Sequence, residues 1–268
     1  RWASATSPAS AVPDSALSCA IMSAPESAPI RLTRPAPGVA LVTLMRSSAR
    51  NALSLGMIAA LDAALAQCAA DASTHVVVIA AEGPAFCAGH DLRELTAARN
   101  EADGGRAFYE KTFAACAALM QDVVNQPQPV IAAIEGVATA AGCQLVASCD
   151  LAVAGEAAKF CTPGVDIGLF CSTPAVALAR NVGRKHTMEL LLTGEFINAK
   201  DALAMGLLNR VVPAGGALEA ALALAKKIAG KPTATIKSGK QTFNAQLGRP
   251  LNEAYDIASR AMVEDRKS

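Results

Sequence analysis

Aromatic side chains make up only 4% of this sequence and charged ones only 18%, with 24 Lys and Arg against 23 Asp and Glu. Near-neutrality removes the electrostatic case for nucleic acid or an anionic membrane surface. The basic residues are scattered, with no run that reads as an arm or a patch, so RNA binding has no support either. No apolar stretch reaches the ~18 uninterrupted residues of a spanning helix. The eight cysteines (19, 68, 87, 116, 143, 149, 161 and 171) include no C-x-x-C, and His75, His90 and His186 show no metal-ligand spacing. No metal is expected. Most cysteines sit among apolar residues, as in Gln67-Cys68-Ala69 and Ala115-Cys116-Ala117, where a reduced thiol acts as a small hydrophobe. A reducing compartment follows: the cytoplasm, with the mitochondrial matrix as the alternative.

What the chain has in quantity is Ala, Val, Leu and Ile. With 268 residues and 52% hydrophobic composition it can bury a large core in one domain carrying a helical appendage. Residues 1–29 are the exception, rich in Ala, Ser and Pro with three charges, Arg1, Asp14 and Glu26. That composition cannot bury a core, and a disordered N-terminal extension is expected. One Arg makes a poor transit peptide, and the n-region of a secretory signal is missing; Met22 stays open as a start.

Order is expected from Ile30. Gly38–Leu44 and His75–Ala80 read as strands, the second β-branched and of buried type. Between them Ser54 can cap a helix to Ala70, with Leu55, Ile58, Leu61, Leu65 and Cys68 at helical spacing. The loop Glu82–His90 leads to Asp91, which opens a short helix over Leu92–Ala98, and a long helix follows over Arg106–Asn125. Pro129–Ile134 and Asp150–Ala154 are further strand candidates, and Ala157–Gly168 reads as loop and short strand. Helical segments then fill 173–182, 184–192, 198–205, 216–229, 232–246 and 250–265. Alternating strand and helix followed by helix implies an α/β core over 30–195 and a helical region over 196–268.

Two strand-to-helix turns share one design. One ends Ala88-Gly89-His90-Asp91 and the other contains Ala140-Ala141-Gly142-Cys143. Each follows an apolar strand with small residues, so backbone N–H groups at a helix start are accessible. If the two strands are neighbours, one N–H from each turn could converge on a single polarised oxygen. The plainer alternative is that small residues only let these helices pack closely.

The same residues carry a resemblance. Phe86-Cys87-Ala88-Gly89-His90-Asp91-Leu92, Ala141-Gly142-Cys143-Gln144-Leu145 with Cys149-Asp150, and Phe160-Cys161-Thr162-Pro163-Gly164-Val165 resemble the crotonase, or enoyl-CoA hydratase/isomerase, family. Arg50-Asn51-Ala52-Leu53 is similar to its early Asn-Ala-Leu element, and Leu192-Thr193-Gly194-Glu195 through Val211-Val212-Pro213 to its later helical element. The resemblance spans residues 30–260, in the family's order.

It implies an α/β fold, a crotonase-like spiral of ββα units, with a helical C-terminal region that packs subunits into a homotrimer or hexamer. The implied partner is an acyl-CoA thioester, with coenzyme A as part of the substrate and no prosthetic group. The implied activity is that of a lyase or isomerase of fatty acid metabolism. By position, the backbone N–H groups of His90 and Ala141 would hold the thioester oxygen. Arg50, Ala52, Leu53, Ala88, Asp91 and Leu92 would line the nucleotide and pantetheine of CoA. Asp91 could equally do no more than cap its helix, and Arg50 could be an ordinary solvated charge.

The departures bear on the reaction. A family hydratase carries one glutamate two residues after the glycine of the second turn, and another just after the proline of the F-x-x-P segment. Here those positions are Gln144 and Gly164. A glutamine amide orients water but cannot take its proton, and glycine supplies nothing. Losing positioned acid–base help costs ~10²–10⁴-fold per group, so standard hydration is not expected. Restoring glutamate at both positions, Gln144→Glu with Gly164→Glu, is expected from the sequence to raise crotonyl-CoA hydration above background. Nearby, Asp166 would face the pocket if 164–168 were a strand, since residues i and i+2 share a face; it could also simply bind backbone N–H groups. Ser172 lies near the position where some relatives carry a catalytic aspartate. Cys171 would need a base to act as nucleophile, and only His186 lies downstream. The sequence also stops at Ser268, short of the last helical segment of relatives, which bears on how the CoA pocket closes. Two functions therefore stand: an acyl-CoA-processing enzyme, or a catalytically impaired acyl-CoA-binding or regulatory protein.

Overall fold

The computed structural model describes residues 28–265, so the extension expected over residues 1–29, with Cys19 and Met22, lies almost wholly outside the described residues. The described chain opens with β1 (Ile30–Ala36) and β2 (Val39–Leu44), an antiparallel pair, and then α1 (Leu55–Ala70). The expected cap is present: the Ser54 hydroxyl accepts the Met57 N–H at 3.1 Å. Met57, Ile58, Leu61, Leu65 and Cys68 bury one face of α1.

From there the chain repeats a unit of two strands and a helical segment. β3 (Val76–Ala81) and the short β4 (Ala85–Cys87) lead to α2 (Leu92–Ala98) and α3 (Arg106–Asn125). β5 (Val130–Ile134) and β6 (Val137–Thr139) lead to α4 (Ala141–Ser148). β7 (Leu151–Gly155) and β8 (Lys159–Cys161) lead to a 3-10 turn over Pro163–Ile167, then α5 (Ser172–Leu178) and α6 (Arg184–Thr193). β9 (Ile197–Asn198), α7 (Ala199–Ala204), β10 (Arg210–Val212), α8 (Ala217–Ala229), α9 (Thr233–Gln246) and α10 (Leu251–Asp265) complete it.

The first strand of each unit enters one sheet and the second enters another. The large sheet runs β1-β2-β3-β5-β7-β10 and is parallel from β2 onward. The small sheet runs β4-β6-β8-β9, parallel except at β9. A chain that alternates between two sheets and adds a helix each time advances as a spiral of ββα units, as expected. The main core lies between the sheets and helices α1, α3 and α4, with Phe86, Phe160, Leu53 and Leu145 fully buried. β3 and β5 are buried on both faces, which is why they read as continuous apolar runs rather than alternating ones.

Two expectations change. The helical region expected over 196–268 divides, because β10 closes the edge of the large sheet. Ala221 and Ala225 of α8 pack on Val76, Val78, Ile131 and Val153 on that sheet's outer face. α9 buries no residue and is tied on by Lys240, which donates to the Asp150 carboxylate at 2.6 Å and to the Gln128 carbonyl at 3.2 Å. The short strand expected within 157–168 is β8, but 164–168 is not extended. Pro163 starts a 3-10 turn there and Gly168, at φ +75°, ends it.

Candidate active site

The early loop is pinned against the first of the two turns. Arg50 and Asn51 both take left-handed backbone, φ +51° and +53°, a conformation that Asn tolerates better than most side chains. The buried Asn51 amide donates to the carbonyls of Glu82 (2.9 Å) and Ala85 (2.8 Å) on either side of the turn into β4. Leu53 and His90 then form a parallel bridge: Leu53 N–H donates to Gly89 (2.7 Å) and Asp91 N–H to Leu53 (3.3 Å). In such a bridge the N–H of His90 points away from Leu53.

On that far side the two turns touch. Gly89 has φ +85°, and a Cβ placed on it would lie 3.0 Å from Ala140 Cβ and 3.4 Å from the Ala141 nitrogen. Gly142 is held as closely from the other direction, since a Cβ there would overlap the Cys87 carbonyl oxygen. The bend into α4 falls on Ala140, a non-glycine residue at φ +49°, whose N–H is held by the Cys161 carbonyl at 2.9 Å. Such backbone stores on the order of 1–3 kcal/mol, sustained here by the packing around it. Ala141 is the first residue of α4, where an N–H has no partner within its own helix. Neither His90 N–H nor Ala141 N–H takes an acceptor among the described residues. Two free donors on abutting backbone segments can hold one oxygen between them.

Five of the six residues expected along CoA line one cleft with His90. Arg50, Ala52, Ala88, Asp91 and Leu92 border a cavity of about 250 Å³. Leu53 does not reach it; its side chain is fully buried and its backbone serves the bridge to His90. Asp91 does cap α2, accepting the Arg93 N–H at 3.0 Å, and it also pairs with Arg46 at 3.4 Å. Arg46 had no signal in the sequence, because its partner lies 45 residues away.

The remaining candidates separate. Gln144 is buried in α4, 4% exposed, and its Oε1 has no hydrogen-bond partner. It borders a groove of about 330 Å³ between α3, α4 and α5. Gly164 is buried with no room for a side chain, because a Cβ would overlap the Leu169 carbonyl oxygen and lie 2.8 Å from Cys171 Sγ. Asp166 is exposed and its carboxylate lies beside Gly194 at the end of α6; the 3-10 turn removes the strand geometry that would have turned it to face the pocket. Ser172 is an exposed residue at the start of α5, outside the lining of the groove, and its neighbour Thr173 lines it instead. Cys171 is buried, which raises its thiol pKa, and His186 lies against Glu189 on α6 at 3.8 Å. Burial also pushes Cys87, Cys143 and Cys161 up to about 12, which leaves them protonated and unreactive.

The His90 ring packs edge-on against Phe113 of α3, centroids 5.2 Å apart, with Nδ1 buried and unpartnered. Burial lowers its pKa below the ordinary 6.5, opposed by the backbone at Leu53. Among the described residues no cluster of His, Cys, Asp or Glu could hold a metal ion, and no helix is long and apolar enough to cross a membrane.

The chain is similar to the rat enoyl-CoA hydratase domain-containing protein 3, mitochondrial: 47% identical over 242 residues, covering 90% of this chain and 79% of that one. Its human counterpart is 46% identical over 228 residues, covering 85% and 74%. The crystal structure of the human protein superimposes with a TM-score of 0.84 at 44% identity, covering 90% of this chain and 92% of that one. The crystal structure of an enoyl-CoA hydratase from Mycobacterium smegmatis gives 0.84 at 47%, covering 88% and 90%. The enoyl-CoA hydratase/isomerase family model matches residues 34–267, nearly the whole chain. The chain belongs to the enoyl-CoA hydratase/isomerase family.

Proposed function

We propose that this protein binds an acyl-CoA thioester and polarises its carbonyl between the backbone N–H groups of His90 and Ala141. The observation that carries this is the contact of the two turns through Gly89 and Gly142, which fixes two unpaired donors side by side. Preorganised donors of this kind favour an enolate-like oxygen, and each is worth ~10²–10³-fold in rate. The CoA moiety lies along the cleft bordered by Arg50, Ala52, Ala88, Asp91 and Leu92, with Leu53 supporting it from behind. Coenzyme A enters as part of the substrate, and no prosthetic group takes part.

The reaction is a lyase or isomerase step on the activated acyl group rather than standard hydration. Gln144 orients rather than deprotonates water, and the backbone of Leu169 fills the space a side chain at Gly164 would need. That second feature also favours the other reading, an acyl-CoA-binding or regulatory protein without turnover. The apolar residues left exposed on α9 and α10, among them Phe243, Leu251, Tyr255 and Met262, support assembly into a homotrimer or hexamer. The relatives' names support the mitochondrial matrix over the cytoplasm.

Isotope-edited infrared spectroscopy of bound crotonyl-CoA tests the proposal directly. The thioester carbonyl stretch shifts to lower frequency on binding if two donors grip the oxygen. A bound ester with an unshifted carbonyl overturns the assignment. Product formation in the same sample separates the enzyme from the binding protein.

A further inference from the structure

The groove beside Gln144 has a direction. Asn181, just beyond α5, donates to the Ala147 carbonyl at 2.8 Å, which sets the C-terminal end of α5 beside that of α4. Val130, the first residue of β5, donates to the Asp150 carboxylate at 2.7 Å, which brings the C-terminal end of α3 to the same place. Thr173 and Gln144 therefore mark one end, while Asn125, Ser148 and Arg180 mark the other. The helical part of that wall, Thr173 to Leu178, rises roughly 7.5 Å, and Arg180 lies two residues past its end. Between the ends the walls are mostly apolar, with Ala117, Met120 and Val124 from α3 and Val176 and Ala177 from α5, and Gln121 of α3 is the polar exception.

Both ends carry unmet polar capacity. Gln144 borders the groove, and its Oε1 is buried from solvent without a partner. Gln144 stands three residues, roughly 4.5 Å of helix rise, beyond the Ala141 donor, so this end adjoins the carbonyl position. At the far end Arg180 donates one bond, to the Val176 carbonyl at 2.7 Å, and among the described residues it has no carboxylate partner. The Ser148 hydroxyl donates to the Gln144 carbonyl at 2.9 Å, which leaves its oxygen able to accept. A passage that is polar at both ends and mostly apolar between matches a chain functionalised at both ends.

We infer that the groove takes an acyl chain ending in a carboxylate, the CoA monothioester of a medium-length dicarboxylic acid, with Arg180 holding the distal carboxylate. The inference rests on the acyl-CoA reading above and names the acyl class that reading leaves open. A guanidinium with free N–H groups suits a carboxylate better than a methyl terminus, while the apolar walls bury the methylenes between.

The test compares suberoyl-CoA with octanoyl-CoA by titration calorimetry in the wild type, Arg180→Ala and Arg180→Glu, with folding checked by circular dichroism. The wild type is expected to bind suberoyl-CoA about tenfold more tightly than octanoyl-CoA. Arg180→Ala removes that preference and Arg180→Glu reverses it. If both esters bind but their ratio is the same in all three proteins, the inference falls while the acyl-CoA reading stands. If neither ester binds the folded wild type, both fall. Because Arg180 is exposed, its variants test the groove without disturbing the core.

Discussion

The two halves of the site differ in how closely the fold holds them. On the carbonyl side every backbone segment is fixed by a neighbour: Asn51 ties the early loop to the turn into β4, Leu53 bridges His90, and Gly89 and Gly142 press each turn against the other. On the acid–base side the chain offers one amide with an unpartnered oxygen, a glycine with no space, and an exposed aspartate whose carboxylate lies beside Gly194. Backbone donors need only correct folding, so many side-chain changes leave them intact. A general base is a single side chain, and one substitution removes it. The polarising half of the family's chemistry can therefore outlive the proton-moving half.

The largest expected effect breaks the rigid half. Gly142→Ala drives a methyl into the Cys87 carbonyl, and the turns must separate. A loss on the order of 3 kcal/mol is expected from such overpacking. Chemical denaturation measures it, and an unchanged midpoint with unchanged ester affinity would show that the turns are not locked together.

The next prediction concerns the depleted half. Gln144→Glu places a carboxylate beside the groove, and crotonyl-CoA hydration should rise above background, by up to ~10²-fold. Adding Gly164→Glu should not help. Its side chain meets the Leu169 carbonyl and the Cys171 thiol, so the double variant is expected to be less stable and less active than Gln144→Glu alone. A double variant more active than the single one would mean that the segment from Leu169 to Cys171 yields easily.

The smallest effect lies at the boundary between the halves. The His90 pKa is lowered in the folded state, so between that value and the ordinary 6.5 the unfolded chain binds more protons. Its contribution to stability is therefore complete above 6.5 and declines as pH falls towards the lowered value, below which the penalty is constant. His90→Phe should flatten the stability profile in that window, measured by denaturation at a series of pH values. A slope unaffected by the substitution would place the titration elsewhere.

Much of this architecture was legible in the residues. Ser54 and the apolar positions that follow it specify α1, and Val76–Ala81 specifies a buried strand, because helix caps and β-branched runs are local signals. The small-residue turns at Ala88–Asp91 and Ala140–Cys143 were visible for the same reason. The three-residue strands β4, β6 and β8 were less so: each is too short for a pattern of its own, and each is stabilised by pairing across tens of residues. Asp166 shows the cost of that limit, since its orientation depended on whether Pro163–Ile167 was extended or coiled.

By itself the sequence determined the alternation of strand and helix, the two glycine-marked turns, the family, and the absence of glutamate at positions 144 and 164. Those are properties of residue type and local spacing. Only the tertiary structure decided that Gly89 and Gly142 set the turns back to back, that Gly164 has no room to regain a side chain, and that α3, α4 and α5 enclose a groove from Gln144 to Arg180. Each of these is a relation between segments distant in sequence, fixed by burying both faces of the large sheet and not by any local preference of the chain.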